Sequence, residues 1–264
     1  MYAFDYERPA DRAAATAAFR GDARYLAGGQ SLVQAMKLRL AQAERLVDLA
    51  GVAELRRIEV DAGGVTLGAM TTHAEVAASA EVRRAIPALA ELAGGIGDIS
   101  VRSVGTIGGS IAHADPAACY PAGLLGLGAT VHTDRRTIAA DAFFRGLYET
   151  ALEPGELITA VRFPVPGKAA YVKYKQPASR FALVGVFVSQ GPGGVRVGVT
   201  GAKASAYRET ALESALAASF TPEAARAVRL GSEGLNADLH GSAAYRAAMI
   251  VVMAARAVAA ANAR

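Results

Sequence analysis

Leu26-Ala27-Gly28-Gly29-Gln30-Ser31-Leu32 is the stretch on which the fold of this chain turns. It follows a short apolar run, Arg24–Ala27, that reads as a strand. It precedes Leu32, Met36 and Leu40, which recur at helical spacing. A strand that ends in paired glycines and passes into a helix gathers backbone N–H groups, because glycine has no Cβ to hold a ligand away. Successive free N–H groups form an anion nest, and the helix start adds partial positive charge. Taken alone, such a pair also reads as an ordinary tight turn.

A second stretch, Gly105-Thr106-Ile107-Gly108-Gly109-Ser110, makes the ligand reading stronger. Two nests on one chain suit a pyrophosphate with its flanking sugar. Neither stretch has the Gly-x-Gly-x-x-Gly spacing of a nicotinamide Rossmann site or the Gly-Lys-Ser/Thr of a P-loop. The span from Gly94 to Ser110 shows little periodicity. It is expected to be an ordered irregular loop buried against something, since long loops in compact domains usually serve a function.

Outward from these stretches the chain alternates short elements. Asp11 is placed to cap a helix running to Phe19. Leu46–Leu49 reads as a strand. Leu55–Val60 and Val65–Met70 form a hairpin through Asp61-Ala62-Gly63-Gly64. Thr72 to Leu92 reads as a helix, with a break before Pro87. A boundary falls at Pro164-Val165-Pro166-Gly167. Beyond it come strand-like runs at Ala170–Lys175, Ala182–Ser189 and Val195–Thr200, then helices near Arg208–Ala218, Pro222–Leu230 and Ala243–Ala261. Both halves are α+β, without the regular alternation of a doubly wound sheet.

Composition excludes several functions. With 264 residues, 52% hydrophobic and 20% charged, the chain is long enough for one or two cored domains. The net charge is +4, but the arginines are scattered among acids, with no basic stripe for nucleic acid. A single cysteine, Cys119, rules out an internal disulfide, an iron–sulfur cluster and a cysteine-rich zinc site in this chain. The four histidines stand far apart, no metal site is expected, and no nucleophile–base pair or Gly-x-Ser-x-Gly elbow is present. No side chain is therefore assigned as catalytic. Such a chain suits a bound cofactor that carries the chemistry. The N-terminus carries Asp5 and Glu7 and no apolar leader. The apolar run Ala247–Ala255 is shorter than the ~20 residues of a membrane span. The expectation is a cytoplasmic protein with no transmembrane segment.

Several motifs resemble one family in order and spacing over nearly the whole chain. They are the Leu26–Leu32 stretch, Met36-Lys37-Leu38-Arg39-Leu40, Thr106–Ser110, His113-Ala114-Asp115-Pro116-Ala117-Ala118, and Lys175-Gln176-Pro177-Ala178-Ser179 followed by Phe181–Val186. These resemble the FAD-binding medium subunit of molybdenum hydroxylases, the group of aerobic carbon-monoxide dehydrogenase and the bacterial xanthine- and aldehyde-oxidising enzymes.

The resemblance implies an α+β chain with an FAD-binding fold of the vanillyl-alcohol oxidase type. A two-part FAD-binding domain would span residues 1–165. A C-terminal α+β domain with a small antiparallel sheet would span 166–264. Ala27, Gly28, Gly29, Gln30, Ser31 and Leu32, with Thr106, Ile107, Gly108, Gly109 and Ser110, would wrap the pyrophosphate with backbone amides. Asp115 and the residue at position 119 would help bind FAD, Ile158 would lie against the cofactor, and Lys175 would stand close to the flavin. A cation there favours the anionic reduced flavin. Two positions depart from the family. Cys119 stands where an acid is usual, and a thiol is a weaker hydrogen-bonding partner than a carboxylate. Ile96 stands where some relatives carry an aromatic ring.

The function implied is an oxidoreductase subunit that passes electrons from the iron–sulfur clusters of a small subunit, through FAD, to an external acceptor. A large subunit with a molybdenum cofactor would feed those clusters, in a dimer of heterotrimers. Two alternatives stay open on the residues alone: a stand-alone flavoprotein oxidoreductase on the same fold, and a nucleotide-binding scaffold that has lost flavin.

Overall fold

A computed structural model describes residues 1–264. Three sheets succeed one another along the chain. The first is parallel, in the order β1 (Asp5–Glu7), β3 (Arg45–Asp48), β2 (Ala23–Leu26). Its two crossovers carry α1 (Arg12–Ala18) and α2 (Leu32–Lys37). Asp11 caps α1 as expected, its Oδ1 accepting from Ala14 N at 2.8 Å. The helix read through Leu40 stops earlier. Arg39 adopts φ +59, which ends the turn and leaves Leu40 exposed.

The second sheet is antiparallel. Its first hairpin, β4 (Ile58–Asp61) and β5 (Gly64–Gly68), is tighter than the sequence suggested. A run of helices follows: α3 (His73–Ala78), α4 (Ala80–Ala85), α5 (Pro87–Gly94), α6 (Ile99–Val104), α7 (Ile107–His113) and α8 (Cys119–Leu127). The helix expected over Thr72–Leu92, with a break before Pro87, is three helices: the break at Pro87 is there and Ser79 adds another. Ser79 interrupts it because its hydroxyl accepts from Val82 N and starts a new one, and Pro87 opens the third. The expected irregular loop from Gly94 to Ser110 is corrected too. It holds α6 and the start of α7, helices too short to leave a periodic signal. Asp98 and Thr106 cap them.

The remaining strands of this region are β6 (Thr130–Thr133), β7 (Thr137–Ala139), β8 (Phe144–Gly146), β9 (Glu149–Thr150) and β10 (Ile158–Phe163), with α9 (Ala140–Phe143) between β7 and β8. The sheet order is β4-β5-β10-β6-β7, so β10 returns to the centre, while β8 and β9 form a separate hairpin.

The third sheet, β11 (Lys168–Lys175), β12 (Ala182–Gly191), β13 (Gly194–Thr200) and β14 (Tyr207–Arg208), is an antiparallel meander. α10 (Thr210–Ala218), α11 (Pro222–Ala227) and α12 (Ala243–Asn262) follow it. α12 is the one departure from the reading of apolar length. At 20 residues it is long and apolar enough to cross a membrane, because alanines extend the run beyond Ala255. One face of it, with Ile250, Met253, Ala257 and Val258, is instead part of the core beside Val186 and Val199. The buried Arg246 donates through its two terminal nitrogens to the carbonyls of Leu183 and Gly201 and to Asp238, which pairs its charge against the sheet.

The largest core cluster runs across residue 165. It joins β5, β10 and helices α3, α4, α5, α7 and α8 to Ala169, Phe187 and Ala206. The link is α8, buried along its whole length. Gly126 lets it approach β12, since a Cβ there would lie 2.6 Å from the Phe187 ring. Ser189 and Arg196 then donate to the carbonyls of Gly126 and Leu125 at 2.6 and 2.7 Å. Full burial of a side chain such as Phe187 contributes about 2–3 kcal/mol. The interlock fixes the third sheet against the helices that carry the glycine-rich stretches.

Candidate cofactor cleft

A cleft of about 1170 Å³ opens between these parts. That exceeds the ~300–1,000 Å³ of ordinary small-molecule pockets and suits a long ligand. One end is formed by Phe19, Asp22, Tyr25 and the segment Leu152–Glu156. The middle is formed by Ala27–Leu32 with Gly105, Thr106, Gly109 and Ser110. The other end is formed by Ile96, Gly97, Cys119, Lys173 and the tip Ser179–Phe181.

The first glycine-rich stretch behaves as its sequence suggested. Gly29 adopts φ +66, and the chain bends there into α2. Gly29 and Ser31 use their carbonyls to accept from Val33 and Ala35 at 3.1 and 2.9 Å. The N–H groups from Gly28 to Leu32 donate to no acceptor within the chain. Five unspent donors in a row, on the wall of a cleft, make an anion nest.

The second stretch uses its amides differently. Ile107 N donates to Thr71 O at 3.1 Å and Gly108 N to Ala69 O at 2.9 Å. Gly109 N donates to Thr106 Oγ1 at 3.1 Å and Ser110 N to Thr106 O at 3.0 Å. All four amides are consumed in docking and capping α7. Ile107 and Gly108 are buried and lie outside the cleft lining, whereas Thr106, Gly109 and Ser110 line it. Gly108 is glycine because a Cβ would lie 2.7 Å from Ala69. The stretch is a buttress: its Gly109 position faces Ala27, and Gly28 packs on Val104 and Gly105.

Asp115 and Cys119 reach the lining. Asp115 Oδ1 accepts from Ala117 N at 2.8 Å. Cys119 is 4% exposed, with its Sγ 3.4 Å from Lys173 Nζ. Ile158 and Lys175 do not reach the lining. Ile158 starts β10 and its side chain joins the main core. The cleft instead takes the loop just before it, through Glu156. Lys175 is exposed at the far end of β11, where the register with β12 shifts.

Lys173, two residues earlier, does line the cleft, as do Arg24 and Arg180. Its ammonium donates to Gly95 O and Arg180 O, both at 2.7 Å, as well as to Cys119 Sγ. Three protons meet three acceptors, so Lys173 is a clasp. Arg102 donates to Ile96 O and Gly97 O at 3.0 and 3.1 Å, and Arg180 to Gly97 O at 3.3 Å. Ile96 therefore stands in a turn whose carbonyls are bound by cations from three elements. The strand alternation of residues 171, 173 and 175 was the sequence signal for Lys173.

At the opposite end Glu156 is buried and satisfied four times. It accepts from Thr133 Oγ1, Arg136 Nε, Arg136 Nη2 and Glu153 N at 2.8–2.9 Å. The Arg136 guanidinium holds its carboxyl down at about 2. Tyr25 donates to Gly155 O at 3.1 Å, and burial pushes its phenol up to about 12. His73, unremarked in the sequence, is buried on the cleft wall, and burial lowers its imidazole to about 4.

The wall thus offers an amide nest and hydrogen-bonding side chains, with no nucleophile beside a base and no group of three or more metal-ligating side chains.

Comparison with known proteins agrees with this geometry. Residues 2–166 match the family described as the FAD binding domain in molybdopterin dehydrogenase. The carbon monoxide dehydrogenase medium chain of Afipia carboxidovorans is 40% identical over 195 residues, covering 70% of this chain and 68% of that one. The carbon monoxide dehydrogenase medium chain of Hydrogenophaga pseudoflava is 37% identical over 222 residues, covering 78% and 77%. Among solved structures, reconstituted CO dehydrogenase from Oligotropha carboxidovorans superposes with a TM-score of 0.89 at 34% identity, covering 100% and 99% of the two chains.

Proposed function

The chain belongs to the family of FAD-binding medium subunits of molybdenum hydroxylases, and we propose that its cleft holds FAD extended from the Phe19 end to the Lys173 end. It is an FAD-binding oxidoreductase subunit on the vanillyl-alcohol oxidase type of fold. When bound, FAD supplies electron transfer between the iron–sulfur clusters of a partner and an external acceptor.

The observation that carries the placement is the run of unspent N–H groups from Gly28 to Leu32. Phosphoryl oxygens are the acceptors that such a nest fits best. Gly28 also fits, since only a glycine there lets the nest pack directly on the Val104–Gly105 backbone. Ala27 packs on Gly109, and Thr106 and Ser110 line the cleft with the nest. Asp115 and Cys119 lie toward the Lys173 end. There Lys173 lies on the wall and ties Gly95 to Arg180. Residues 1–165 act as the cofactor-binding domain and 166–264 close the cleft from the far side.

The partners in this reading are a small subunit with iron–sulfur clusters and a large subunit with the molybdenum cofactor, assembled as a dimer of heterotrimers in the cytoplasm. The one cysteine and the absence of a metal-ligand cluster support a division of labour in which the clusters sit on other chains.

The test is purification of the chain with whatever co-purifies, followed by its visible spectrum and metal content. Flavin absorbance with iron and molybdenum in the same particle is the expected result. A chain that stays colourless after FAD is added defeats it.

A further inference from the structure

We propose that His73 is a cofactor-contacting residue, its Nε2 donating one hydrogen bond to an oxygen of the ligand at the seam between the two glycine-rich stretches. The proposal rests on the FAD reading of the cleft.

The backbone of His73 is fixed. It follows the Thr72 cap of α3, where Thr72 and Glu75 satisfy one another's amides. Its own N–H donates to Gly105 O at 2.9 Å. The side chain is 5% exposed, yet it belongs to the cleft wall. Nδ1 is sealed inside with no hydrogen-bond partner, and the Tyr120 ring stands 5.4 Å away. A buried polar group without a partner is destabilising, so a histidine kept here needs a return elsewhere on the ring.

That return is at Nε2, which faces Gly105. Gly105 has φ −61 and ψ 136, a conformation open to any residue. Its lack of a side chain is a matter of space: a Cβ would lie 2.8 Å from His73 Nε2. Gly105 in turn packs on Gly28, where the unspent amides begin. Nε2 therefore opens on the cleft beside the anion nest. Burial and the neighbouring Arg102 charge keep the ring neutral. A neutral imidazole has one N–H, and leaving a lone pair unbonded at the sealed Nδ1 is the lesser cost than leaving an N–H there. The proton then sits on Nε2, as a donor that brings no extra charge.

The acceptor is a phosphoryl oxygen or an oxygen of the ribityl–flavin part. Binding of FAD, ADP and riboflavin by the full chain with its co-purifying subunits, measured by calorimetry, distinguishes these. His73→Phe is expected to weaken FAD about tenfold, the loss of one hydrogen bond of ~1.4 kcal/mol. His73→Gln, whose amide nitrogen reaches the Nε2 position, is expected to stay within about threefold, whereas His73→Asn falls with the phenylalanine variant. A loss shared by FAD and ADP marks a phosphoryl acceptor, and a loss shared by FAD and riboflavin but not ADP marks the flavin side. Unchanged FAD affinity in His73→Phe overturns the proposal and leaves the FAD reading standing. Should that variant not fold, equal affinities for the glutamine and asparagine variants overturn it instead. A wild-type complex that binds no FAD sinks both readings.

Discussion

Gly28 lies against Val104 so closely that a Cβ on residue 28 would overlap the Val104 carbonyl oxygen and stand 2.8 Å from Gly105 Cα. The two glycine-rich stretches, nearly eighty positions apart, touch backbone to backbone. Each sets the position of the other.

Gly28→Ala is therefore expected to force them apart. Overpacking of this kind costs about 1–3 kcal/mol, and the strain falls on the amides that form the nest. FAD affinity should drop at least about tenfold, while far-ultraviolet circular dichroism stays close to wild type. Calorimetric titration checks it. Full affinity in the variant would place the phosphates elsewhere.

The two lysines of β11 give opposite expectations. Lys173→Met removes the donor to Gly95 O and Arg180 O. The lost hydrogen bonds destabilise the chain by roughly 1–3 kcal/mol, and removal of a wall cation lowers the flavin reduction potential. Lys175→Met, at an exposed position outside the lining, stays within about 0.5 kcal/mol and leaves the potential alone. Thermal melts and spectroelectrochemistry of both variants decide. A lowered potential only in the Lys175 variant would return the role to that residue.

Acid should weaken the fold in two separate windows. His73 titrates at about 4 when folded and near 6.5 when unfolded. Between those values the unfolded chain binds the extra proton, so stability is complete above pH 6.5 and falls as the pH drops toward 4. The size is on the order of 3 kcal/mol. His73→Phe should flatten this part of a melting-temperature profile. A wild-type profile with no slope between pH 4 and 6.5 contradicts the burial argument.

Glu156 supplies the lower window. Its folded value is about 2, against an ordinary 4.5. Its contribution is present above pH 4.5 and is lost as the pH falls through 2. Glu156→Gln keeps the shape but removes the charge that Arg136 and Thr133 were arranged around. A loss of roughly 2 kcal/mol at neutral pH is expected, along with disappearance of the lower slope. Denaturant titration at two pH values measures both.

Much of this protein was legible in the sequence because the signals are local. Asp11 caps the helix that follows it, the Asp61–Gly64 turn closes its hairpin, and the strand–Gly28-Gly29–helix passage delivers free amides. Each depends on a few neighbouring residues and on the conformational freedom of glycine. The α+β class, the FAD family and the single-cysteine argument for external clusters follow from the same residues. What only the tertiary structure decided depends on partners far away in the chain. The amides of Ile107 and Gly108 look as free as those of Gly28 until Thr71 and Ala69 accept from them. Lys173 and Lys175 share one face of a strand, and only the approach of Gly95, Cys119 and Arg180 selects Lys173. The apolar α12 has the length of a membrane span, and only the sheet beneath it shows where its buried face goes. A hydrogen-bond donor is free or spent according to what the fold brings to it, and that is not written beside it in the sequence.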